Sequence, residues 1–141
     1  MTNGNEQKAR ILERIRTAIN QERLVGACLR SLIDETKTLR GRQKIGELRN
    51  DSVSLEKELL ALYETLSGDR LSIESDGTDM RPSTYLEGLR YCIESKLNAA
   101  EYNQRSADLT QTSHMKSCFY RVALDELRHA SWLQYYYSLY K

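Results

Sequence analysis

Features that interrupt helices or mark secreted and membrane proteins are scarce in this sequence. It has one proline and seven glycines among 141 residues, and no apolar run long enough to span a membrane. The first residues, MTNGNEQKAR, lack the apolar stretch of a secretion signal. We therefore expect a cytoplasmic protein with no membrane partner.

Paired cysteines and a dominant charge are also missing. The three cysteines, Cys28, Cys92 and Cys118, form no Cys-x-x-Cys motif and lie in apolar-patterned stretches. We expect them to be buried free thiols, with a disulfide or a metal role as the alternatives. The net charge of +1, with neither sign dominating a long block, argues against nucleic acid as a partner. No P-loop, G-x-G-x-x-G or nucleophile-elbow motif is present.

What the sequence does contain is typical of one helical domain over residues 1–141. Apolar residues make up 40% and charged residues 29% of the chain, which suffices for a single core. Four segments place inward residues at alternating steps of three and four, the spacing of helices in a bundle. We predict helix A over about 6–40, helix B over about 43–67, helix C over about 84–109 and helix D over about 113–140.

Each of the four helices carries a polar residue near the middle of its inward series. The series are Ile11, Ile15, Ala18, Glu22, Val25, Leu29 and Leu32 in A; Ile45, Leu48, Ser52, Leu55, Leu59, Leu62 and Leu66 in B; Tyr85, Leu89, Cys92, Lys96, Ala99 and Asn103 in C; and Phe119, Val122, Glu126, His129, Leu133, Tyr136 and Tyr140 in D. Polar residues that recur at matched depth indicate a site more than an accident of packing.

Residues that end or start helices predict the connections. Gly41 is expected to end helix A and Gly68 to end helix B, while Thr84 with Glu87 forms a capping box at the start of helix C. Short A–B and C–D links predict antiparallel hairpins. The long segment over about 68–83 predicts a crossover along the bundle, which makes helices B and C parallel.

The two predicted hairpins are copies of one pattern. Glu22 and Lys96 are 74 residues apart (96 − 22), and the same shift relates Ser52 to Glu126 and Leu55 to His129. The register holds without a gap along both hairpins. Since 74 is not a multiple of seven, the heptad pattern alone does not account for the agreement.

Most of the chain resembles the rubrerythrin-like branch of the ferritin-like superfamily. The stretches concerned are AINQERLVGACLRSL in helix A, RNDSVSLEKELLALYETLSG in B, YLEGLRYCIESKLNAAEY in C and ALDELRHASWL in D. The resemblance implies an all-α, ferritin-like four-helix bundle with one long B–C crossover. It also implies a carboxylate-bridged di-iron or di-manganese site that oxidises Fe(II) or reduces oxygen and peroxide, and dimerisation through helices A and B.

The metal ligands that the resemblance implies are only half present. Glu22 matches the ligand of helix A, and Glu126 and His129 match the Glu-x-x-His pair of helix D. Ser52, Leu55 and Lys96 stand at the three remaining ligand positions. The positive charge of Lys96 opposes cation binding, so we do not expect a standard di-iron oxidase.

Neighbouring acidic residues do not restore the missing ligands. Asp51, Glu56, Glu94 and Glu101 lie one or more positions away from the inward series, where a helix turns them from the bundle axis.

Three interpretations of the polar positions remain open. We favour a metal-free network in which Lys96 replaces the metal as counter-charge for Glu22 and Glu126. The protein would then be structural, regulatory or assembly-related, a homodimer or a hetero-oligomer with a metal-competent relative. The alternative is one Fe, Mn or Zn ion on Glu22, Glu126 and His129, in an oxidoreductase or iron-handling protein. In the third, Lys96 is a base or a Schiff-base former.

Overall fold

The computed structural model describes residues 4–71 and 84–140. These residues form four α-helices: α1 (Gly4–Glu35), α2 (Leu39–Ser67), α3 (Tyr85–Leu109) and α4 (Ser113–Tyr140). No strand occurs within the two described ranges. The all-α class and the four-helix bundle predicted from the spacing of apolar residues are therefore confirmed. The numbering α1 to α4 follows the predicted helices A to D.

The bundle consists of two tight hairpins joined mainly through α1 and α3. α1 packs on α2 and α3 packs on α4, while α4 touches α2 only lightly. Contacts across each pair show antiparallel directions, because one residue number falls as the other rises. The contacting pairs are Arg16 with Tyr63 and Arg23 with Glu56 for α1–α2, Arg14 with Ser106 and Cys28 with Gly88 for α1–α3, and Glu58 with Arg121 and Asp51 with Arg128 for α2–α4.

Since α2 and α3 are both antiparallel to α1, they run parallel to each other. The chain between the end of α2 and the start of α3 therefore joins opposite ends of the bundle. Most of the crossover predicted over about 68–83 falls on residues 72–83, which lie outside the described residues. The two helix boundaries predicted on either side of it, at Gly68 and Thr84, are described and confirmed. Gly68 ends α2 with a left-handed φ of 78°, and Thr84 caps α3 by accepting the Glu87 N–H at 3.1 Å.

The two hairpin loops occupy equivalent positions. The shift of 74 residues relates the ends of α1 and α3 (109 − 35) and the starts of α2 and α4 (113 − 39). Thr36 and Thr110 open the loops, and both are buried, with 0% and 4% of their surface exposed. Each donates its hydroxyl to a carbonyl of the preceding helix. The repeat therefore extends from the inward series into the loops.

The start of the second helix is also the same in both hairpins. Thr38 accepts the backbone N–H of Gly41 at 3.0 Å, and Thr112 accepts that of Met115 at 3.4 Å. One residue further on, a basic side chain reaches back to the preceding helix end or loop. Arg42 donates to the Thr36 carbonyl at 2.8 Å, and its counterpart Lys116 donates to the Ala107 carbonyl at 3.0 Å.

Gly41 does not end the first helix, and the predicted boundaries there are wrong. Helix A was expected to reach about residue 40 and helix B to begin at about 43, whereas α1 ends at Glu35 and α2 begins at Leu39. Gly41 lies in the first turn of α2, capped by Thr38. A Cβ at this position would lie 2.6 Å from Thr36 Cγ2, so the glycine permits a close approach of loop and helix.

Two apolar clusters fill the bundle above and below its middle. The first contains Ile11, Ile15, Ala18, Ile19, Leu55, Leu59, Leu62, Ala107, Cys118, Phe119 and Val122. The second contains Val25, Cys28, Leu29, Leu32, Ile45, Leu48, Leu89, Cys92, Ile93, Leu133 and Tyr136. Each fully buried Leu or Ile contributes roughly 1.5–3 kcal/mol of hydrophobic stabilisation. The helices are thus held from both ends, and the polar residues lie between the two clusters.

Candidate functional site

Five buried polar residues form what we call the central polar layer: Glu22, Ser52, Lys96, Glu126 and His129. Each has 2% or less of its surface exposed, and Lys96, Glu126 and His129 have none. All four helices contribute, α4 with two residues. Every member had been predicted as a site position or as a lost-ligand position. The structure brings four of them together around one atom, the ammonium nitrogen of Lys96.

Lys96 has three partners, one on each of the other helices. Its Nζ donates to Ser52 Oγ at 2.7 Å and to Glu22 Oε2 at 3.3 Å, and it lies 3.2 Å from Glu126 Oε2 as an ion pair. Two of its three N–H donors are used in these hydrogen bonds, and the contact with Glu126 is an ion pair. Burying a charge without such partners would cost several kcal/mol. Lys96 is therefore the residue that connects the layer.

The two carboxyl groups of the layer do not share the charge equally. Burial, followed by a hydrogen bond with Glu22, raises the pKa of Glu126 well above its ordinary value, although Lys96 acts in the opposite direction. Without a proton, both oxygens of Glu126 and Oε1 of Glu22 would lack a hydrogen-bond partner among the residues that the structure describes. A proton on Glu126 supplies a donor between the two carboxyl groups. This proton also lowers the negative charge that surrounds the Lys96 ammonium.

His129 points away from Lys96 and toward the edge of the bundle. Its Nε2 lies 3.2 Å from Asp51 Oδ2, while its buried Nδ1 has no hydrogen-bond partner among the described residues. Burial and the nearby Lys96 charge lower the pKa of His129 to about 3, against the effect of Asp51. His129 is therefore neutral at physiological pH, and the hydrogen bond to Asp51 places its proton on Nε2.

Asp51 is a site residue that sequence reasoning missed. It was expected to point away from the bundle, and 40% of its side chain is exposed. Its carboxylate nevertheless accepts from Arg128 at 2.6 Å and from His129. Burial alone would raise the pKa of Asp51, but these two hydrogen bonds lower it below its ordinary value. The position beside Ser52 lets the side chain reach the edge of α4, which helix periodicity does not indicate.

The other acidic residues considered from the sequence do lie at the surface. Glu56, Glu94 and Glu101 each pair with an arginine, and none of these three reaches the central polar layer. Surface pairs of this kind contribute little to stability, about 0–1 kcal/mol each. They offer no substitute for the missing ligands.

The central polar layer does not fit a two-metal centre. Lys96 Nζ lies between Glu22 and Glu126, in the place that a metal ion bound by both carboxylates would occupy. Leu55 has no lone pair with which to bind a metal ion. In residues 4–71 and 84–140, no three His, Cys, Asp or Glu side chains are grouped so that they can hold a metal ion. This includes the predicted set of Glu22, Glu126 and His129.

The cysteines are free and buried, which confirms that prediction. Cys28 on α1 and Cys92 on α3 are hydrogen-bonded to each other in the second apolar cluster. This contact lowers the pKa of Cys28, and with burial it raises the pKa of Cys92. Cys118 lies in the first apolar cluster, where burial raises its pKa. The raised pKa values of Cys92 and Cys118 keep these two thiols protonated, and all three cysteines are part of the packing.

Comparisons with protein-family models, with curated proteins and with solved structures find no match. None of the helices in the described ranges is both long and apolar enough to cross a membrane.

Proposed function

We propose that this protein is a ferritin-like bundle in which the Lys96 ammonium group has replaced the metal ions. The proposal is supported by the parallel course of α2 and α3, by the two equivalent hairpins and by inward Glu22 and Glu126 at the same level. The observation that carries it is the three-partner contact of Lys96 Nζ with Ser52, Glu22 and Glu126. A fixed internal cation holds two carboxyl groups together as a metal ion would, without redox chemistry.

The proposed role is structural, regulatory or assembly-related rather than that of a di-iron oxidase. An assembly role is supported by the outer face of α4, where Tyr120, Leu124 and Leu127 follow one another at steps of four and three residues, with exposures from 40% to 66%. Exposed apolar side chains at this spacing on the outside of a helix are typical of a surface that binds another helix. Here the partner is a second copy of the chain or a metal-competent relative.

Metal loading tests the central part of the proposal. The purified protein is incubated anaerobically with Fe(II), Mn(II) and Zn(II) in turn, desalted, and analysed for metal content. We expect no more metal per chain than in a matched Glu126→Ala variant. Retention of two metals per chain by the wild type would overturn the proposal.

Sedimentation velocity tests the assembly role. We expect a dimer of the wild type and a monomer of a Leu124→Glu, Leu127→Glu variant that keeps its helical circular dichroism. A matched double substitution at exposed α3 positions Glu94 and Glu101 to Gln should leave the dimer intact. A monomeric wild type that also fails to bind a related bundle would contradict this role.

A second candidate is a mononuclear metal site on Glu22, Glu126 and His129, in an oxidoreductase or iron-handling protein. It is favoured by one observation: His129 Nδ1 is buried without a partner while Asp51 holds Nε2. A carboxylate on the far nitrogen is how proteins orient a metal-binding histidine. The candidate requires Lys96 Nζ to leave the layer. One metal per chain, abolished by Glu126→Ala and by His129→Leu, would favour it over the metal-free bundle.

A further inference from the structure

A surface cleft lies between the first turns of α2 and the second half of α4. Its volume is about 840 Å³, a size that suits a small organic ligand. Arg40 and Lys44 of α2 line one side, and Arg128 of α4 lines the other. Aromatic side chains of α4 form the floor, beside the hydroxyl of Ser131. No carboxylate belongs to this lining among the described residues.

The cations of the cleft are available to an external anion. Arg40 is exposed and has no ion pair with any described residue. Lys44 pairs with Glu47 at 2.9 Å, and Arg128 pairs with Asp51 at 2.6 Å. Both are surface pairs, which contribute only about 0–1 kcal/mol and do not prevent a second anion from binding. Arg40 is consequently the first contact for an anionic group, with a planar fork that binds phosphate or carboxylate in two places.

The floor of the cleft offers aromatic surface next to these cations. Trp132 and Tyr135 are 37% and 52% exposed, and their rings meet edge to face at 6.2 Å. Tyr136 continues the series at 5.2 Å from Tyr135. The Lys44 ammonium lies over one face of the Trp132 ring, 4.2 Å from its centre, so a cation adjoins the aromatic surface. Exposed aromatic rings of this kind stack on flat ring systems.

We propose that this cleft binds a small anionic ligand that carries a planar aromatic ring, the chemical class of a nucleoside monophosphate. The anionic group contacts Arg40, supported by Lys44 and Arg128, and the ring stacks on the face of Trp132 that Lys44 does not cover and meets Tyr135 edge to face. A ligand with a cationic ring would be repelled by the three cations of the cleft. A ligand without an anionic group would leave Arg40 without a partner. The proposal is independent of the metal content of the central polar layer.

The test compares three probes by isothermal titration calorimetry: adenosine monophosphate, adenosine and inorganic phosphate. We expect adenosine monophosphate to bind at least ~10-fold more tightly than either fragment, because only the whole molecule uses both the cations and the rings. The chain has one tryptophan, so quenching of its fluorescence reports whether the probe reaches Trp132. Equal affinity of phosphate and adenosine monophosphate, or no binding of the latter, would overturn the proposal.

Matched variants locate the binding. Arg40→Ala should weaken the binding of adenosine monophosphate by about 10-fold, because a charge-assisted contact is lost. Arg30→Ala, a change at another exposed arginine, should leave its affinity unchanged. Trp132→Ala should weaken the binding of adenosine monophosphate and leave the affinity for phosphate unchanged. Trp132→Phe should restore most of the affinity for the nucleotide. Equal effects of Arg40→Ala and Arg30→Ala would show non-specific charge attraction and would contradict the site.

Discussion

The hairpins α1–α2 and α3–α4 agree at their ends and differ in their middles. Both have a three-residue loop that opens and closes with threonine, and the helix ends match under the 74-residue shift. Halfway along, the first hairpin supplies Glu22 and Ser52, whereas the second supplies Lys96 and Glu126. The comparison shows that capping and apolar packing determine the backbone of each hairpin, while the buried polar residues can change as long as their charges match.

The differences between the hairpins are complementary. Glu22 and Lys96 occupy equivalent positions and form an ion pair across the bundle, with Nζ and Oε2 3.3 Å apart. Ser52 accepts from Lys96, whereas its counterpart Glu126 carries the raised pKa. Leu55 packs in the first apolar cluster, whereas its counterpart His129 is hydrogen-bonded to Asp51. Neither hairpin alone would have its polar residues satisfied, so the layer specifies how the two hairpins associate.

Removing the cation should break this complementarity most severely. Lys96→Met leaves Glu22 buried without a counter-charge and Glu126 without its contact to the ammonium group, which typically costs about 3–5 kcal/mol of the free energy of unfolding at pH 7. Urea unfolding followed by circular dichroism measures the loss. The triple variant Lys96→Met, Glu22→Met, Glu126→Leu should recover most of it, because it removes the buried ammonium together with both carboxyl groups. A loss below about 1 kcal/mol for the single variant would mean that Lys96 is not the counter-charge.

His129 should make the protein sensitive to acid, whereas its counterpart Leu55 has no effect on pH dependence. The folded-state pKa of about 3 lies below the ordinary histidine pKa of 6.5, so the unfolded chain binds a proton that the folded chain does not. Stability is therefore lost as pH falls from about 6.5 toward 3, by about 3 kcal/mol between pH 7 and pH 4. The raised pKa of Glu126 acts with the opposite sign, favouring the folded state as pH falls.

The His129→Leu variant isolates this contribution, since it makes the second hairpin match the first at this position. Urea unfolding of both proteins at pH 7 and pH 4 should show a smaller loss on acidification for the variant than for the wild type. Equal losses for the two proteins would show that His129 is not held neutral in the folded state.

The two carboxyl groups that face Lys96 should respond differently to the same change. Glu22→Gln removes the hydrogen-bonded counter-charge of Lys96 and should cost about 2 kcal/mol at pH 7. Glu126→Gln should cost about 1 kcal/mol or less, because a raised pKa leaves this carboxyl group close to its neutral form. Parallel urea titrations compare them. A larger cost for Glu126→Gln would reverse the assignment of charge within the layer.

The capping threonines offer the smallest and most symmetric comparison. Thr38→Ala should cost about 1 kcal/mol, the usual value for an N-cap, and Thr112→Ala about half of that. The difference is expected because the hydrogen bond is 3.0 Å in the first loop and 3.4 Å in the second. Thermal unfolding of both variants at one pH is sufficient. No effect in either would mean that the loops are held by packing alone.

The bundle and most of the central polar layer could be predicted from the sequence. Buried side chains at steps of three and four determine which face of a helix points inward, so Glu22, Lys96 and Glu126 were placed correctly. The 74-residue repeat could have corrected the first loop as well, because Thr36 and Thr38 correspond to Thr110 and Thr112. A glycine at position 41 concealed this, since it resembles a helix terminator.

The hydrogen bond between Asp51 and His129 and the cleft beside Trp132 could not be predicted. Both depend on how far side chains reach across the α2–α4 contact, and helix periodicity gives no information on that reach. Asp51 lies one position outside the inward series of α2, yet its carboxylate is hydrogen-bonded to His129. The cleft depends on the light packing of α4 on α2, which leaves space between them.

The most direct test of the central claim is a paired metal analysis of the wild type and a variant with Ser52→Glu, Leu55→His and Lys96→Glu. The variant restores a glutamate and a histidine to the first hairpin and a glutamate to the second. After anaerobic loading with Fe(II) and desalting, we predict no bound iron in the wild type and two iron ions per chain in the variant. Iron retained by the wild type, at one or two ions per chain, would contradict the replacement of the metal by Lys96.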